Sequence, residues 1–369
     1  MKPQPRGSSW EEPDLRAGSP DLHEGKSVRR PRSPFRLRVA AAVAISLTSL
    51  AFAAADFPAG LPRTPASDVL RVSGNPEMTV LVARWSGEFQ RLHPSVHIET
   101  HLTGSDTGMA ALYAGKADVA LLGRAPTLSE IQAFEWIYRY KPAQVEIMTG
   151  SLAHAGKSSA PVLFVHRDNP LAALTLAQLD ALFGTDHRFT PADIRTWGQL
   201  GLTGEWANKP VHLYAPDAMS GTGRFFRHVV LNDSRMMNWA QLTEFSDTDI
   251  PLKPTHDAGR AILAALAQDR YGLAVASLDF ATAQVRPVAL DGIAASRESL
   301  IARTYPLTRG VTACYHGKPG APNDLLVREF LAYILSASAQ KTMSADDGYL
   351  PLAPARAAEE ARKLNLRSP

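Results

Sequence analysis

Small hydroxyl residues stand where one strand-like run passes into a helix-like segment. Ser220, Gly221 and Thr222 come after the apolar run 211–214 and before the amphipathic segment 224–231. The first turn of a helix carries backbone N–H groups without intrahelical partners, and its dipole end is partly positive. Serine and threonine add hydroxyl donors there, and glycine lets a ligand approach the backbone. The pattern favours a site for a small oxyanion, with an ordinary helix cap as the alternative.

The segment 104–108 repeats this arrangement. Ser105, Asp106 and Thr107 follow the alternating run 97–102, which is typical of a half-buried strand. A helix-like segment comes directly after them. Because both turns are strand–turn–helix units of the same kind, the second one strengthens the oxyanion interpretation.

A third candidate turn lies at 74–78 and contains Glu77 and Met78. It stands between a short strand-like run, 69–72, and the segment 82–92, whose apolar residues recur at helical spacing. Three such units can direct three helix N-termini at one point. Glu77 and Met78 therefore join the predicted site residues.

Strand-like and helix-like segments continue to alternate along the rest of the chain. The helix-like ones include 128–138, 174–183 and 258–268, and short apolar runs separate them. This alternation predicts an α/β protein with mostly parallel sheets. A length of 369 residues suggests two lobes.

The N-terminal part predicts a secretory signal. Residues 1–38 form a leader with nine Lys and Arg against five Asp and Glu, and the uncharged segment 39–55 ends in three alanines. A basic leader, an apolar segment and small residues at the cleavage site are typical of an exported, periplasmic protein. Residues 56–67 then form a linker. The alternative is an uncleaved membrane anchor through 39–55, which is shorter than the roughly 20 residues that a spanning helix needs.

Composition and spacing argue against several other functions. The net charge is only +3 and the basic excess lies in the leader, so no nucleic-acid partner is expected. The single cysteine, Cys314, stands in an apolar run, which predicts a buried, unreactive thiol. Ser220 has no G-x-S-x-G surroundings, so no catalytic residue is assigned. The scattered histidines predict neither a metal site nor a cofactor.

A series of short motifs runs through the body of the chain in a specific order. The motifs are Trp85-Ser86-Gly87-Glu88-Phe89, the turn 104–108, Ala117-Asp118, Val165-His166-Arg167-Asp168-Asn169-Pro170, Leu176-Ala177-Gln178-Leu179, Trp197-Gly198-Gln199-Leu200-Gly201, Ser220-Gly221-Thr222, Tyr305-Pro306-Leu307 and Asp347-Gly348-Tyr349-Leu350-Pro351. Together they resemble the phosphate-binding proteins of phosphate ABC transporters, which have the type II periplasmic binding-protein fold. The resemblance covers about 69–351.

This resemblance implies two α/β lobes with the ligand in the cleft between them. One lobe is expected to comprise 68–168 and 280–369, and the other 169–279. The family implies a monomeric exported receptor that captures a small oxyanion, inorganic phosphate by default. It also implies an ABC permease in the membrane as the partner.

The family pattern also implies ligand residues. Carried over by motif, they are Ser105 and the turn Ser220-Gly221-Thr222, with the neighbouring backbone N–H groups. Arg124 follows the strand-like run 119–122, and its guanidinium is a candidate to donate two hydrogen bonds to the anion. The alternative for Arg124 is a surface or structural ion pair. Asp106 or Glu77 is a candidate acceptor for the proton of a protonated phosphate, a proton that sulfate lacks.

Two positions depart from the family pattern. Relatives commonly have an arginine four residues before the serine of the second turn, where this chain has Pro216, and a serine or threonine near Glu77. Losing a charge-assisted hydrogen bond costs about 1.5–3 kcal/mol, and a facing carboxylate repels an anion. Arg224 is a candidate replacement for the missing cation. The alternative function is a degenerate member of the family that lacks tight phosphate binding and acts through protein contacts in the envelope.

Overall fold

A computed structural model describes residues 68–366 apart from 155, 190–192, 248, 251–252, 255–256 and 344–347. The leader 1–38, the apolar segment 39–55 and the linker 56–67 lie outside the described residues, so the signal peptide and the alternative anchor stay predictions. Within the described part of the chain, no helix combines the length and the apolar character that crossing a membrane requires.

The described strands are short and alternate with helices. The strands are β1 (Val69–Gly74), β2 (His97–Leu102), β3 (Val119–Leu122), β4 (Ala143–Thr149), β5 (Val162–His166), β6 (Ala173–Leu174), β7 (His212–Pro216), β8 (Leu242–Phe245), β9 (Asp249–Ile250), β10 (Lys253–Pro254), β11 (Gly272–Ala276), β12 (Val285–Leu290) and β13 (Gly310–Tyr315). The helices are α1 (Thr79–Leu92), α2 (Ser105–Tyr113), α3 (Leu128–Tyr138), α4 (Leu176–Phe183), α5 (Gly221–Leu231), α6 (Ala258–Leu266), α7 (Arg297–Ile301), α8 (Asp324–Leu335), α9 (Ala337–Thr342) and α10 (Pro354–Lys363).

The first sheet has five strands in the order β2-β1-β3-β13-β4. Strand β1 pairs in parallel with β2 and β3, whereas β13 is antiparallel to both β3 and β4. The apolar residues of α1 recur at helical spacing because they face this sheet, and they pack with α8 in one core. Phe89 and Phe330 meet there with ring centroids 5.3 Å apart.

The second sheet has six strands in the order β6-β12-β5-β11-β7-β8. Strand β5 is antiparallel to its neighbours β11 and β12, and the other pairings are parallel. Its largest core contains Phe183 and Phe226, whose rings meet edge to face at 5.0 Å. Strands β9 and β10 pair separately.

The mixed α/β fold is confirmed, with one correction to the strand directions. Parallel pairings predominate in the second sheet, as expected, but the first sheet is evenly divided between parallel and antiparallel pairings. The reason is topological: β13 arrives from the second sheet and enters between β3 and β4 in the opposite direction.

Two connections carry the chain between the sheets. They are the segment 150–161 after β4 and the segment 291–309 after β12, and they touch where the N–H of Gly150 donates to the carbonyl of Arg309 at 3.0 Å. The chain therefore passes from one sheet to the other within 150–161 and 291–309, and not at the expected lobe boundaries 168/169 and 279/280, because β5 and β12 pair within the second sheet. The division into lobes of 68–168 with 280–369 and of 169–279 stays a prediction.

The prediction that Cys314 is buried is confirmed. Cys314 is a free, buried cysteine in β13, and it packs with Met109 and Phe134 in a separate small core. Burial raises the pKa of its thiol. The thiolate, which is the reactive form, is therefore disfavoured at neutral pH.

Candidate functional site

A cavity of about 300 Å³ is lined by residues that follow strands of both sheets. Ser105 of α2 and Ser220, the N-cap of α5, both line it, as the two hydroxyl turns predicted. The third helix whose first residues line the cavity is α6, through Ala258 and Gly259. Three helix N-termini therefore border the cavity, but the third is that of α6, whereas the sequence predicted that of α1.

Ser105 is the first residue of α2 and is held by two backbone contacts. The N–H of Gly104 donates to the carbonyl of Gly74 at 2.9 Å, which fixes the turn to the end of β1. The Oγ of Ser105 accepts the N–H of Gly123 at 3.1 Å. Because the oxygen is an acceptor in this bond, its own hydrogen can be donated to a ligand.

The second hydroxyl turn differs from the first, because Ser220 is itself the N-cap of its helix. The Oγ of Ser220 caps α5 by accepting the N–H of Gly223 at 3.0 Å. The first intrahelical bond runs from the N–H of Arg224 to the carbonyl of Ser220. The N–H groups of Gly221 and Thr222 precede that bond, so they belong to the unsatisfied first turn. Both residues line the cavity.

Arg124 lines the cavity but is already engaged by two carboxylates. Its guanidinium donates to both oxygens of Glu130, at 2.7 and 2.8 Å, and it also pairs with Asp106. Burial opposes the charged form, but the bonds to Glu130 and the two negative charges raise the pKa of Arg124. Asp106 lines the cavity with a side chain that is 74% exposed. The positive charge of Arg124 is therefore largely neutralised by protein groups.

The Glu130–Arg124 pair predicts a specific loss of stability in acid. Burial disfavours ionisation, yet hydrogen bonds from Arg124 and from the backbone of Thr127 hold the pKa of Glu130 below its usual range. A carboxylate with a depressed folded-state pKa stabilises the fold above its unfolded pKa of about 4.3 and loses that contribution as pH falls. We expect the melting temperature to decline from about pH 5 to pH 3, and to decline less steeply in Glu130→Gln. Equal slopes in the two proteins would contradict this.

Three predicted site residues lie away from the lining of the cavity. Met78 has 0% exposure and packs in the core of the first sheet, and its N–H donates to the carbonyl of Asn75. Glu77 is half-buried on the same short turn and is not among the lining residues. The hydroxyl of Thr107 donates to the carbonyl of Gly104 on the exposed side of α2. The turn at 74–78 therefore contributes Asn75 to the cavity in place of Glu77 and Met78.

Several lining residues were not predicted from the sequence, because no local pattern marks them or, for Asn75, because the pattern of the turn 74–78 favoured other residues. They are Asn75, Ser158, Asp247, Ser277 and Arg309. Among the described residues, the Oγ of Ser277 and the Nε of Arg224, which also lines the cavity, are buried without a hydrogen-bond partner. Arg309 follows the motif Tyr305-Pro306-Leu307 closely, but sequence alone gives its charge no direction.

Arg309 is the most deeply buried cation of this lining. Arg309 is only 8% exposed. Its guanidinium donates to the Oγ1 of Thr222 at 3.2 Å and to the carbonyl of Gly123 at 3.3 Å. The guanidinium also lies 5.5 Å from the ring centre of Phe225. Burial lowers the pKa of Arg309 to about 10, and the nearby charge of Arg124 acts in the same direction. The group is still charged at neutral pH.

A second carboxylate reaches the cavity beside α6. Asp247 lines it, and one oxygen accepts the N–H of Ala258 at 2.9 Å. Within the described residues, no group of three or more histidine, cysteine, aspartate or glutamate side chains is arranged to hold a metal ion. The donors that face the cavity are hydroxyls, helix N–H groups and guanidinium groups, which together suit an anion.

Comparison with known proteins connects this chain to a family. A model of the PBP superfamily domain matches residues 61–338. The phosphate-binding protein PstS of Pseudomonas aeruginosa is 33% identical over 299 residues, an alignment that covers 79% of this chain and 84% of that protein.

Solved structures support the same fold. An ABC-type phosphate transport receptor from Vibrio cholerae superposes with a TM-score of 0.50 at 18% identity, over 76% of this chain and 99% of the receptor. PstS from Borrelia burgdorferi gives a TM-score of 0.53 at 11% identity, over 77% of this chain and 99% of its own. At identities of 18% and 11%, the superpositions show similarity of the fold alone.

Proposed function

We propose that this chain, which belongs to the PBP superfamily and within it to the family of the phosphate-binding protein PstS, captures inorganic phosphate for an ABC-type uptake system. The observation that carries the proposal is the meeting of the first turns of α2 and α5 with the buried guanidinium of Arg309 in one cavity. Hydroxyl groups, unsatisfied N–H groups and an arginine are the donors that a tetrahedral oxyanion needs.

The donors are held in place before any ligand arrives. Ser105 is fixed by the N–H of Gly123, and Ser220 is fixed by the N–H of Gly223. A preorganised site binds more tightly, because fewer groups lose freedom on binding. Asp106 and Asp247 also reach the cavity. A carboxylate can accept the proton of a protonated phosphate, so sulfate is expected to bind more weakly.

The two departures from the family pattern are compatible with this function. Pro216 lines the cavity and offers neither charge nor N–H, but Arg309 brings a guanidinium to the cavity from another part of the chain. Glu77 is not among the residues that line the cavity, so the repulsion considered from the sequence does not arise in contact with the anion.

The remaining parts of the proposal concern the setting of the protein. As a receptor it would be exported through the segment 39–55, bind its anion as a monomer and deliver it to a permease in the membrane. Support comes from the relatives, which are named as a phosphate-binding protein and an ABC-type phosphate transport receptor. Binding and release suffice for this role, so no catalytic step is proposed.

Calorimetric titration with phosphate tests the function directly. We expect saturable binding to the purified protein, and a stabilisation of about 2.7 kcal/mol when free phosphate is 100 times the Kd. Ser220→Ala should weaken binding about 10-fold, because a hydroxyl donor to a charged ligand is lost.

The matched control for this variant is Ser296→Ala. Ser296 caps α7 by accepting the N–H of Ser299 at 3.1 Å and is not among the residues that line the cavity. Its loss should lower stability by a similar capping contribution and leave phosphate affinity unchanged. If neither phosphate, sulfate nor molybdate raises the melting temperature, the receptor function is wrong, and the degenerate alternative is favoured.

A further inference from the structure

The buried position of Arg309 is unusual for a charged side chain. Taking a charge out of water is costly unless the charge is paired, yet no described carboxylate pairs with this guanidinium. Two of its five N–H donors reach Thr222 and Gly123. The other three have no acceptor among the described residues. A purely structural role would require partners for the buried charge, and the described residues provide too few of them.

The other two arginines of the cavity are less suited to neutralise a ligand. Arg124 is occupied by Glu130 and Asp106. Arg224 lines the cavity from the first turn of α5 and has a buried Nε without a described partner, but the residue as a whole is only half-buried, so solvent screens its charge more strongly than that of Arg309. Arg309 combines deep burial with free donors and faces the same cavity.

We propose that Arg309 is the principal cation of the anion site and takes the role for which Pro216 provides no group. This inference rests on the proposed function. The unpaired guanidinium is stabilised when an anion enters, and the anion gains a charge-assisted hydrogen bond in a site of low effective dielectric.

The position of Arg309 also links the two sides of the cavity. Through Thr222 it contacts the first turn of α5, which follows the second sheet, and through Gly123 it contacts the end of β3 in the first sheet. Its backbone lies at the end of the connection 291–309. Under this proposal, anion binding and one of the contacts between the two sides of the cavity depend on the same side chain.

Phosphate titration of Arg309→Gln tests the inference, with Arg309→Lys and Arg328→Gln beside it. We expect Arg309→Gln to lose about 10- to 100-fold in affinity, the range of one charge-assisted hydrogen bond. Arg309→Lys keeps the charge without the planar fork and should lie between Arg309→Gln and the unmodified protein.

Arg328 is the matched control. It is also 8% exposed, donates to the carbonyls of Leu364 and Gly317 and lies over the ring of Tyr315, but it is not among the lining residues. Arg328→Gln should lower the melting temperature and leave phosphate affinity unchanged.

The outcomes separate the two proposals. If the unmodified protein does not bind phosphate, the proposed function fails, and this inference fails with it. If it binds phosphate and Arg309→Gln binds equally well, only the role of Arg309 is overturned. If Arg309→Gln does not fold, Arg309→Lys decides, because unchanged affinity in that variant would show that the guanidinium makes no specific bond to the anion.

Discussion

Gly123→Ala is expected to weaken phosphate binding by at least about 100-fold while changing the free energy of unfolding much less. A Cβ at this position would lie 2.5 Å from the Nδ2 of Asn75 and 2.9 Å from the Oγ of Ser158. Both are ends of side chains that can move aside, so the fold tolerates the methyl group. Both also line the cavity, so their displacement changes the site.

The expected loss is large because Gly123 connects several parts of the site. Its N–H donates to Ser105, and its carbonyl accepts from Ser158 at 2.5 Å and from Arg309 at 3.3 Å. Moving this one peptide therefore shifts a hydroxyl donor and the buried cation together. Calorimetric titration with phosphate measures the effect.

Gly87→Ala is the control for the glycine substitution itself. Gly87 is exposed within α1, and a Cβ there would meet no atom within 4 Å. This variant should be more stable by about 0.5–1 kcal/mol, because alanine has the higher helix propensity, and should bind phosphate normally. If Gly123→Ala and Gly87→Ala bind phosphate with equal affinity, the role given to Gly123 is wrong.

Gly74→Ala is expected to lower the free energy of unfolding by about 3 kcal/mol or more. Gly74 ends β1 with φ of +153°, and a Cβ there would lie 2.1 Å from the carbonyl oxygen of Leu121. That oxygen belongs to β3, with which β1 pairs at this residue. Backbone held by sheet pairing cannot move aside as a side chain can, so the clash must distort the sheet.

Gly292→Ala separates the effect of the dihedral angle from the effect of the clash. Gly292 has φ of +76°, but a Cβ there would meet no atom within 4 Å. We expect a cost of about 1–2 kcal/mol from the left-handed conformation alone. Chemical denaturation of both variants gives the comparison, and an equal loss of stability in the two would contradict the steric argument.

Local signals in the sequence predicted the helices α3 and α5. The helix expected at 128–138 has those limits in the structure, because Thr127 and Glu130 form a capping box within one turn. Ser220 likewise caps α5, three residues from the N–H that it accepts. Such bonds involve neighbours in sequence, so residue type and spacing are enough to predict them.

The remainder of the site depends on distant contacts. The partners of Arg309 lie 87 and 186 residues away in sequence, and no spacing rule relates them. At 74–78, the short helical turn Pro76–Met78 precedes α1, which begins at Thr79. That extra turn directs Met78 into the core. Asn75 of the same turn lines the cavity instead. The third helix N-terminus at the cavity is that of α6, which packs against β11 and β7 of the second sheet.

The contact between Gly150 and Arg309 has a mechanical consequence. Two connecting segments that lie side by side allow one sheet to rotate relative to the other about the line along which the segments touch. They resist other relative movements of the sheets. The cavity residue Arg309 is itself part of one of these segments. An anion bound as proposed would act close to this line, where a small displacement becomes a large swing at the outer rims of the two sheets.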